Sequence, residues 1–271
     1  VTAIRRLDPS ELLACKRLEE DRGWDTDPAK WALMFASGEV HAIDADDGDG
    51  LAGCVVLTHY ADDLTAVGMM LVADRYGRQG LGSTLMRHAL EQAGKRSVEL
   101  TATRFGRPVY ERLGFRPTGT LTVHHGTLPD LPTPSARPAT PDDHARILRL
   151  DHRTTGADRG AVLTHLLSIA ERAVVADDGF AIAWNAGSHR VIGPVVAPSE
   201  EVARDLVVAA ARGADRPLRL DVLGGFPGLR AWIAGHGMPG GENELPTMVH
   251  GADAPGGDRA RYAAPILISM G

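Results

Sequence analysis

Three glycines in GRQGLGST, residues 77–84, stand at the head of a run with helical periodicity. A helix N-terminus carries unpaired amides and partial positive charge, and a glycine-rich turn ahead of it bares more backbone. Gly77, Arg78, Gln79, Gly80, Gly82 and Ser83 therefore form a candidate cradle for an anion such as a phosphate or diphosphate. Glycine loops also serve as plain tight turns. A Walker loop would need a lysine, and 77–84 has none. A dinucleotide fingerprint would need GxGxxG within a parallel strand–helix–strand unit; here the spacing is GxxGxG and the preceding strands read as antiparallel.

The elements around the loop follow from periodicity and punctuation. Helices are predicted over 11–21 and 27–38, the second capped by Asp27 with Pro28 in its first turn. Strands are predicted at 40–45, 51–60 and 65–73, joined by short turns as a meander. The loop opens a helix over 81–94, with Leu81, Leu85, Ala89 and Leu90 on one face. A strand at 97–103, a short helix at 107–114 and a strand within 115–126 complete the first half. Five prolines between 127 and 143 mark an extended linker. Helices at 140–153 and 161–172 and strands near 173–176, 180–185 and 190–196 follow.

The 271 residues suit two domains better than one. The formal net charge of −6 is no footprint for a nucleic acid. No apolar stretch approaches the ~20 residues that span a membrane, and the first twenty residues lack a signal-peptide core, so a soluble cytoplasmic protein is expected. Two cysteines, Cys15 and Cys54, suggest neither a disulfide framework nor a zinc site. The acidic knot DADDGD, 44–49, lacks calcium-loop spacing and reads as a hairpin turn; no metal is expected.

Residues 65–115 resemble the GCN5-related N-acetyltransferase (GNAT) family. The resemblance rests on MMLVAD, RYGRQGLGSTLM, VELTAT and GRPVYERLGFRPTG. Gly80 and Gly82 fill the family's two loop glycine positions, while Gly77 stands where arginine or glutamine is usual. The resemblance implies an α/β fold with a mixed sheet, the acyl-CoA N-acyltransferase fold, and acetyl-CoA or another acyl-CoA as co-substrate. Its diphosphate would sit on the amides of 78–83. A bulge around Leu71 and Val72 would free main-chain groups for the pantetheine arm and the thioester carbonyl. Tyr110 would be the general acid that protonates the departing thiolate as the amine attacks directly.

A base is less defined. His59, Asp25, Glu99 and one of His124 and His125 are candidates, and ordered water could suffice. Trp24 and Asp25, with His59, are candidates to bind an ammonium-bearing acceptor, whereas Trp31 and Met34 read as core. The second half resembles a worn copy. GLRAWIAGHGM (228–238) matches RPVYERLGF, and Ile233 stands at the position of Tyr110. Only APSEE remains of the glycine loop, and its carboxylates would repel phosphates. The expected organisation is a catalytic domain at 1–126, a proline-rich linker at 127–139 and a degenerate domain at 140–271. The expected function is transfer of an acetyl or other short acyl group to a small-molecule amine, by a monomer or homodimer. A non-catalytic acyl-CoA-binding sensor or scaffold is the alternative.

Overall fold

Asp8 opens the first folded stretch. Its carboxylate accepts from Ser10 N at 2.9 Å while Glu11 accepts from Asp8 N at 3.0 Å, a reciprocal cap that starts the chain into its first helix. The computed structural model describes residues 3–24, 27–133 and 135–271. In chain order the elements are β1 (Arg5–Arg6), α1 (Leu12–Asp21), α2 (Pro28–Ser37), β2 (Glu39–Asp44), β3 (Leu51–Tyr60), β4 (Leu64–Val72), α3 (Leu81–Ala93), β5 (Ser97–Thr101) and α4 (Arg107–Arg112). Then follow β6 (Arg116–Gly126), β7 (Arg137–Pro138), α5 (His144–Thr155), α6 (Gly160–Ile169), β8 (Ala170–Ala176), β9 (Gly179–Ala186) and β10 (His189–Val196). The last are α7 (Glu200–Ala211), β11 (Leu218–Leu223), α8 (Pro227–Gly235), β12 (Leu245–His250) and β13 (Tyr262–Ala264).

The chain divides into two compact units that are not linear in sequence. Unit 1 is Val1–Pro117 with Met248–Asp253 and Ser269–Gly271; unit 2 is Thr118–Thr247 with Ala254–Ile268. The strand expected to complete the first half, β6, contributes Thr118–Gly126 to unit 2, where it pairs antiparallel with β11. The proline-rich stretch also belongs to unit 2, and Arg137–Pro138 pair there with β8.

In unit 1 the strand order is β1-β2-β3-β4-β5, antiparallel until β5, which runs parallel to β4. Side chains alternate across a strand, so the sheet has two apolar faces to cover. Val55, Leu57, Val67, Val98 and Leu100 pack with Leu85, Met86 and Ala89 of α3 and with Tyr110, Phe115 and Met248. Cys15, Leu18, Trp31 and Met34 of α1 and α2 are buried toward the other face. Asp27 caps α2 by accepting from Ala29 N at 2.7 Å.

Unit 2 repeats this plan. Strands β8, β9 and β10 are antiparallel, β11 runs parallel to β10, and α7 packs Ala203, Leu206 and Val207 on Ala181, Ile192, Val195 and Leu220. The helix expected over 161–172 ends at Ile169, because Ala170–Arg172 already pair with β9. Short strand β13 adds to β10.

Candidate active site

The site of unit 1 begins with an irregularity in β4. Val56 pairs with Gly68 and Cys54 with Leu71, so one residue of β3, Val55, opposes two of β4, Met69 and Met70. The extra residue is accommodated at Met69, whose φ is +47°, and Cys54 Sγ donates to Met69 O at 3.5 Å. The bulge thus lies two residues before the expected Leu71–Val72. Just before it β4 leaves its parallel neighbour. The β4–β5 register holds for Leu64↔Ser97, Thr65↔Val98 and Ala66↔Glu99 and then stops. The rest of β4 and β5 forms a wedge, and no strand among the described residues pairs with the β4 edge that β5 leaves.

Backbone direction decides which groups face that wedge. Ala73 N donates to Ala52 O at 3.0 Å, toward β3. Alternation then turns the Val72 N–H and C=O into the wedge and the Leu71 pair back to Cys54. Of the two residues predicted for the arm, Val72 offers backbone there; Leu71 contributes a buried side chain.

The loop after β4 is held from several sides. Asp74 N donates to Asp21 at 2.6 Å, and Arg22 pairs with the Asp74 carboxylate. The acidic knot supplies two more ties: Arg75 Nε donates to Asp47 at 3.1 Å and Tyr76 Oη donates to Asp46. Arg78 (φ +60°) and Gly80 (φ +84°) then turn the chain into α3. Gly80 needs its glycine for that conformation. Gly77 has ordinary dihedrals. At Gly82 a Cβ would meet nothing nearer than Val72 Cγ2 at 3.9 Å, so glycine there leaves clear space over the first helical turn.

Thr84 N makes the first backbone bond of α3, to Gly80 O at 3.0 Å. The amides of Leu81, Gly82 and Ser83 precede it, and no side chain among the described residues caps them. The first turn has no acidic residue. Arg78 and Gln79 flank it, and the Gln79 amide donates to Arg75 O at 3.3 Å. This is an uncapped, electropositive helix end at the open side of the wedge, with the donors and clearance that a diphosphate requires.

Tyr110 lies on α4, just past β5, the wedge's other lip. Its ring is buried against Phe115, with centroids 5.8 Å apart, and over Gly106, where a Cβ would come within 2.7 Å of the ring. Its hydroxyl has no hydrogen-bond partner among the described residues, and burial pushes its pKa up to about 12. It therefore stays protonated at neutral pH, as a proton donor must.

The other candidates scatter. His59 bonds Thr65 Oγ1 at 2.8 Å, at the closed end of the wedge, seven residues of β4 or roughly 20 Å from Val72. Burial lowers its pKa. The structure does not bring it to the loop. Glu99 holds the last β4–β5 pair and points away from the face of Val98 and Leu100, toward the α1–α2 side at the apex of the wedge. Trp24 is 42% exposed beyond α1; Asp25 lies outside the described residues. Trp31 is buried core, its indole donating to the buried Glu19 at 2.6 Å. His124 is buried in unit 2, bonded to Met238 O at 2.9 Å. Among the described residues no group of three His, Cys, Asp or Glu side chains could hold a metal, and no helix is long and apolar enough to cross a membrane. Sequence reasoning missed the part played by Asp46 and Asp47; charged turns read as solvated.

The equivalent helix end in unit 2 is occupied. Ser199 accepts from Val202 N at 3.3 Å, and Glu200 accepts from Gly228 N at 3.0 Å and from Leu229 N at the head of α8. Ile233 takes the position of Tyr110: Met238 N bonds Ile233 O at 3.0 Å as Phe115 N bonds Tyr110 O at 3.0 Å.

Two family models, each described as an acetyltransferase (GNAT) domain, match residues 19–128 and 147–263. An uncharacterized N-acetyltransferase, YitH of Bacillus subtilis (strain 168), is 25% identical over 237 residues, 82% of each chain. Among solved structures, a proposed acetyltransferase from Pyrococcus horikoshii superimposes with TM-score 0.78 at 18% identity, covering 99% of this chain and 95% of that one. A tandem GNAT protein from the clavulanic acid biosynthesis pathway gives TM-score 0.62 at 14% identity, covering 92% and 98%. These two likenesses are of fold.

Proposed function

The chain belongs to the GNAT acetyltransferase family as two such domains in tandem, and from this premise we propose that unit 1 moves an acetyl or other short acyl group from acyl-CoA to a small-molecule amine. The observation that carries the reading is the uncapped start of α3 behind Gly80, opening onto a β4 edge that β5 has left. The co-substrate would supply an activated thioester. The amides of Leu81, Gly82 and Ser83 bind its diphosphate, and Val72 N–H and C=O pair with its pantetheine amides. The acceptor nitrogen attacks the carbonyl carbon directly; the C–N bond forms and the C–S bond breaks. Tyr110 gives its proton to the leaving sulfur. Glu99, at the wedge apex, is a candidate to take the proton that the amine loses.

The second reading is a non-catalytic acyl-CoA sensor. It is favoured by one observation, the distance of His59 from the loop. One experiment separates the two. Acetyl-CoA is titrated calorimetrically, and thiol release is then followed with a panel of amines. Binding with amine-dependent release that falls in Tyr110→Phe supports the enzyme. Binding without release, unchanged in Tyr110→Phe, supports the sensor. No binding at millimolar acetyl-CoA sinks both.

A further inference from the structure

Unit 2 has the same bulge as unit 1, yet its wedge is filled. The equivalence can be fixed residue by residue. A Cβ on Gly53 would lie 2.7 Å from Leu71 O and 3.1 Å from Leu85 Cδ1; one on Gly179 would lie 2.7 Å from Val196 O and 3.1 Å from Leu206 Cδ1. Leu71 therefore corresponds to Val196, and Val72 to Ala197. The bulges agree: Ile192 pairs with Ala183 and Val195 with Ala181, again two residues against one. Even the crossing chain recurs. Ser269 runs so close over Gly68, and Pro265 over Gly193, that neither glycine has room for a Cβ.

The open edges differ. In unit 2 the β10–β11 register stops after Arg190↔Leu218 and Val191↔Arg219, and β13 takes over the edge that β11 leaves. Val195 pairs with Ala264 and Val196 with Tyr262, and Ala197 N donates to Arg261 O at 2.9 Å. That amide is the counterpart of Val72 N, which faces the wedge of unit 1. Tyr262 fixes the strand from inside. It is buried, and its hydroxyl accepts from Arg159 Nη1 at 2.9 Å. Arg159 in turn forms a buried two-bond pair with Asp151, at 2.6 and 2.9 Å.

We propose that β13 is a built-in occupant of the slot that an acyl-CoA arm would take, so that unit 2 binds no acyl-CoA and the chain carries one acyl-CoA site. The peptide of 261–264 offers alternating N–H and C=O groups along an extended backbone, the same pairing that the two amides of a pantetheine arm offer. Being tethered, it needs no concentration to compete. The location of the single site in unit 1 rests on the function proposed above; the filling of unit 2 does not.

The test uses the full chain with two readouts. The first is amide exchange without ligand. Ala197 should exchange at least about 100-fold more slowly than an unstructured peptide, while Val72 exchanges fast and slows on addition of acetyl-CoA. The second is acetyl-CoA stoichiometry: one equivalent per chain, lost in Gly82→Asp. Fast exchange at Ala197, two equivalents, or saturable binding that survives Gly82→Asp would each overturn the proposal. A protected Ala197 with no acetyl-CoA bound would leave β13 in its assigned role and defeat the functional reading alone.

Discussion

A carboxylate at position 82 should move stability and binding in opposite directions. It would stand in the first turn of α3, where a negative charge complements the helix dipole by about 0.3–1 kcal/mol. The same charge would meet the diphosphate. Gly82→Asp is therefore expected to melt at an equal or higher temperature while losing acetyl-CoA affinity more than about tenfold; loss of both together would mean that the glycine is structural. Tyr110→Phe removes a hydroxyl that no described residue uses. Acetyl-CoA affinity should stay within about twofold while turnover falls roughly 10²- to 10⁴-fold, the span of a general acid. The sign of its pH effect follows from burial. With the native pKa near 12 and an unfolded value near 10, the neutral phenol contributes stability fully below pH 10, and this is lost as pH rises toward 12. Denaturation titrations should show a shallower alkaline decline in Tyr110→Phe. Gly82 and Tyr110 stand out in the sequence as candidates because glycine spacing and the PVYERLGF motif are local. Met69 was not, since nothing in a methionine announces a positive φ.

Most helices and strands up to β10 were legible to within a few residues of their ends, because hydrophobic period and caps are written within each segment; β7, β12 and β13 were not. What escaped was the choice of partner. Nothing in RPTGTLTVHHG says that it pairs with Leu218–Leu223, and nothing in YAA says that it pairs with Val195–Val196, since pairing depends on residues far away in sequence. The β2–β3 turn is a similar case. Its aspartates hold Arg75 and Tyr76, and so the loop that presents α3. Asp46→Asn with Asp47→Asn should weaken acetyl-CoA binding several-fold while leaving the melting temperature nearly unchanged, because solvent screens exposed pairs; unchanged affinity would show that the loop keeps its shape unaided. In unit 2, Glu200→Ala leaves the α8 amides of Gly228 and Leu229 without acceptors. A cost of about 1–3 kcal/mol is expected in chemical denaturation, with acetyl-CoA affinity unaltered.

For the whole molecule, the division into two domains was legible, and the return of Met248–Asp253 to unit 1 was not. A fragment cut at residue 126 would lack Met248, which is 1% exposed within the core of unit 1. Such a fragment is expected to lose cooperative unfolding and acetyl-CoA binding together; a sharp melt with retained binding would show that unit 1 tolerates the loss. Acid should weaken the full chain. Burial lowers the pKa of His59, His88 and His124, so the native state favours their neutral forms. Their contribution is complete above the unfolded value near 6.5 and is lost as pH falls below it. Melting temperature should drop between pH 6.5 and 5, and less steeply in His124→Gln.

Because Met248–Asp253 reach unit 1 from far along the chain, birth order on the ribosome does not match assembly order. At about 5–20 residues per second, roughly ten seconds separate emergence of α4 from emergence of the segment that completes its core. A nascent chain stalled in that interval would hold a cradle but an unsealed interior. Truncated translation products would then be poor competitors for acyl-CoA and ready prey for proteases.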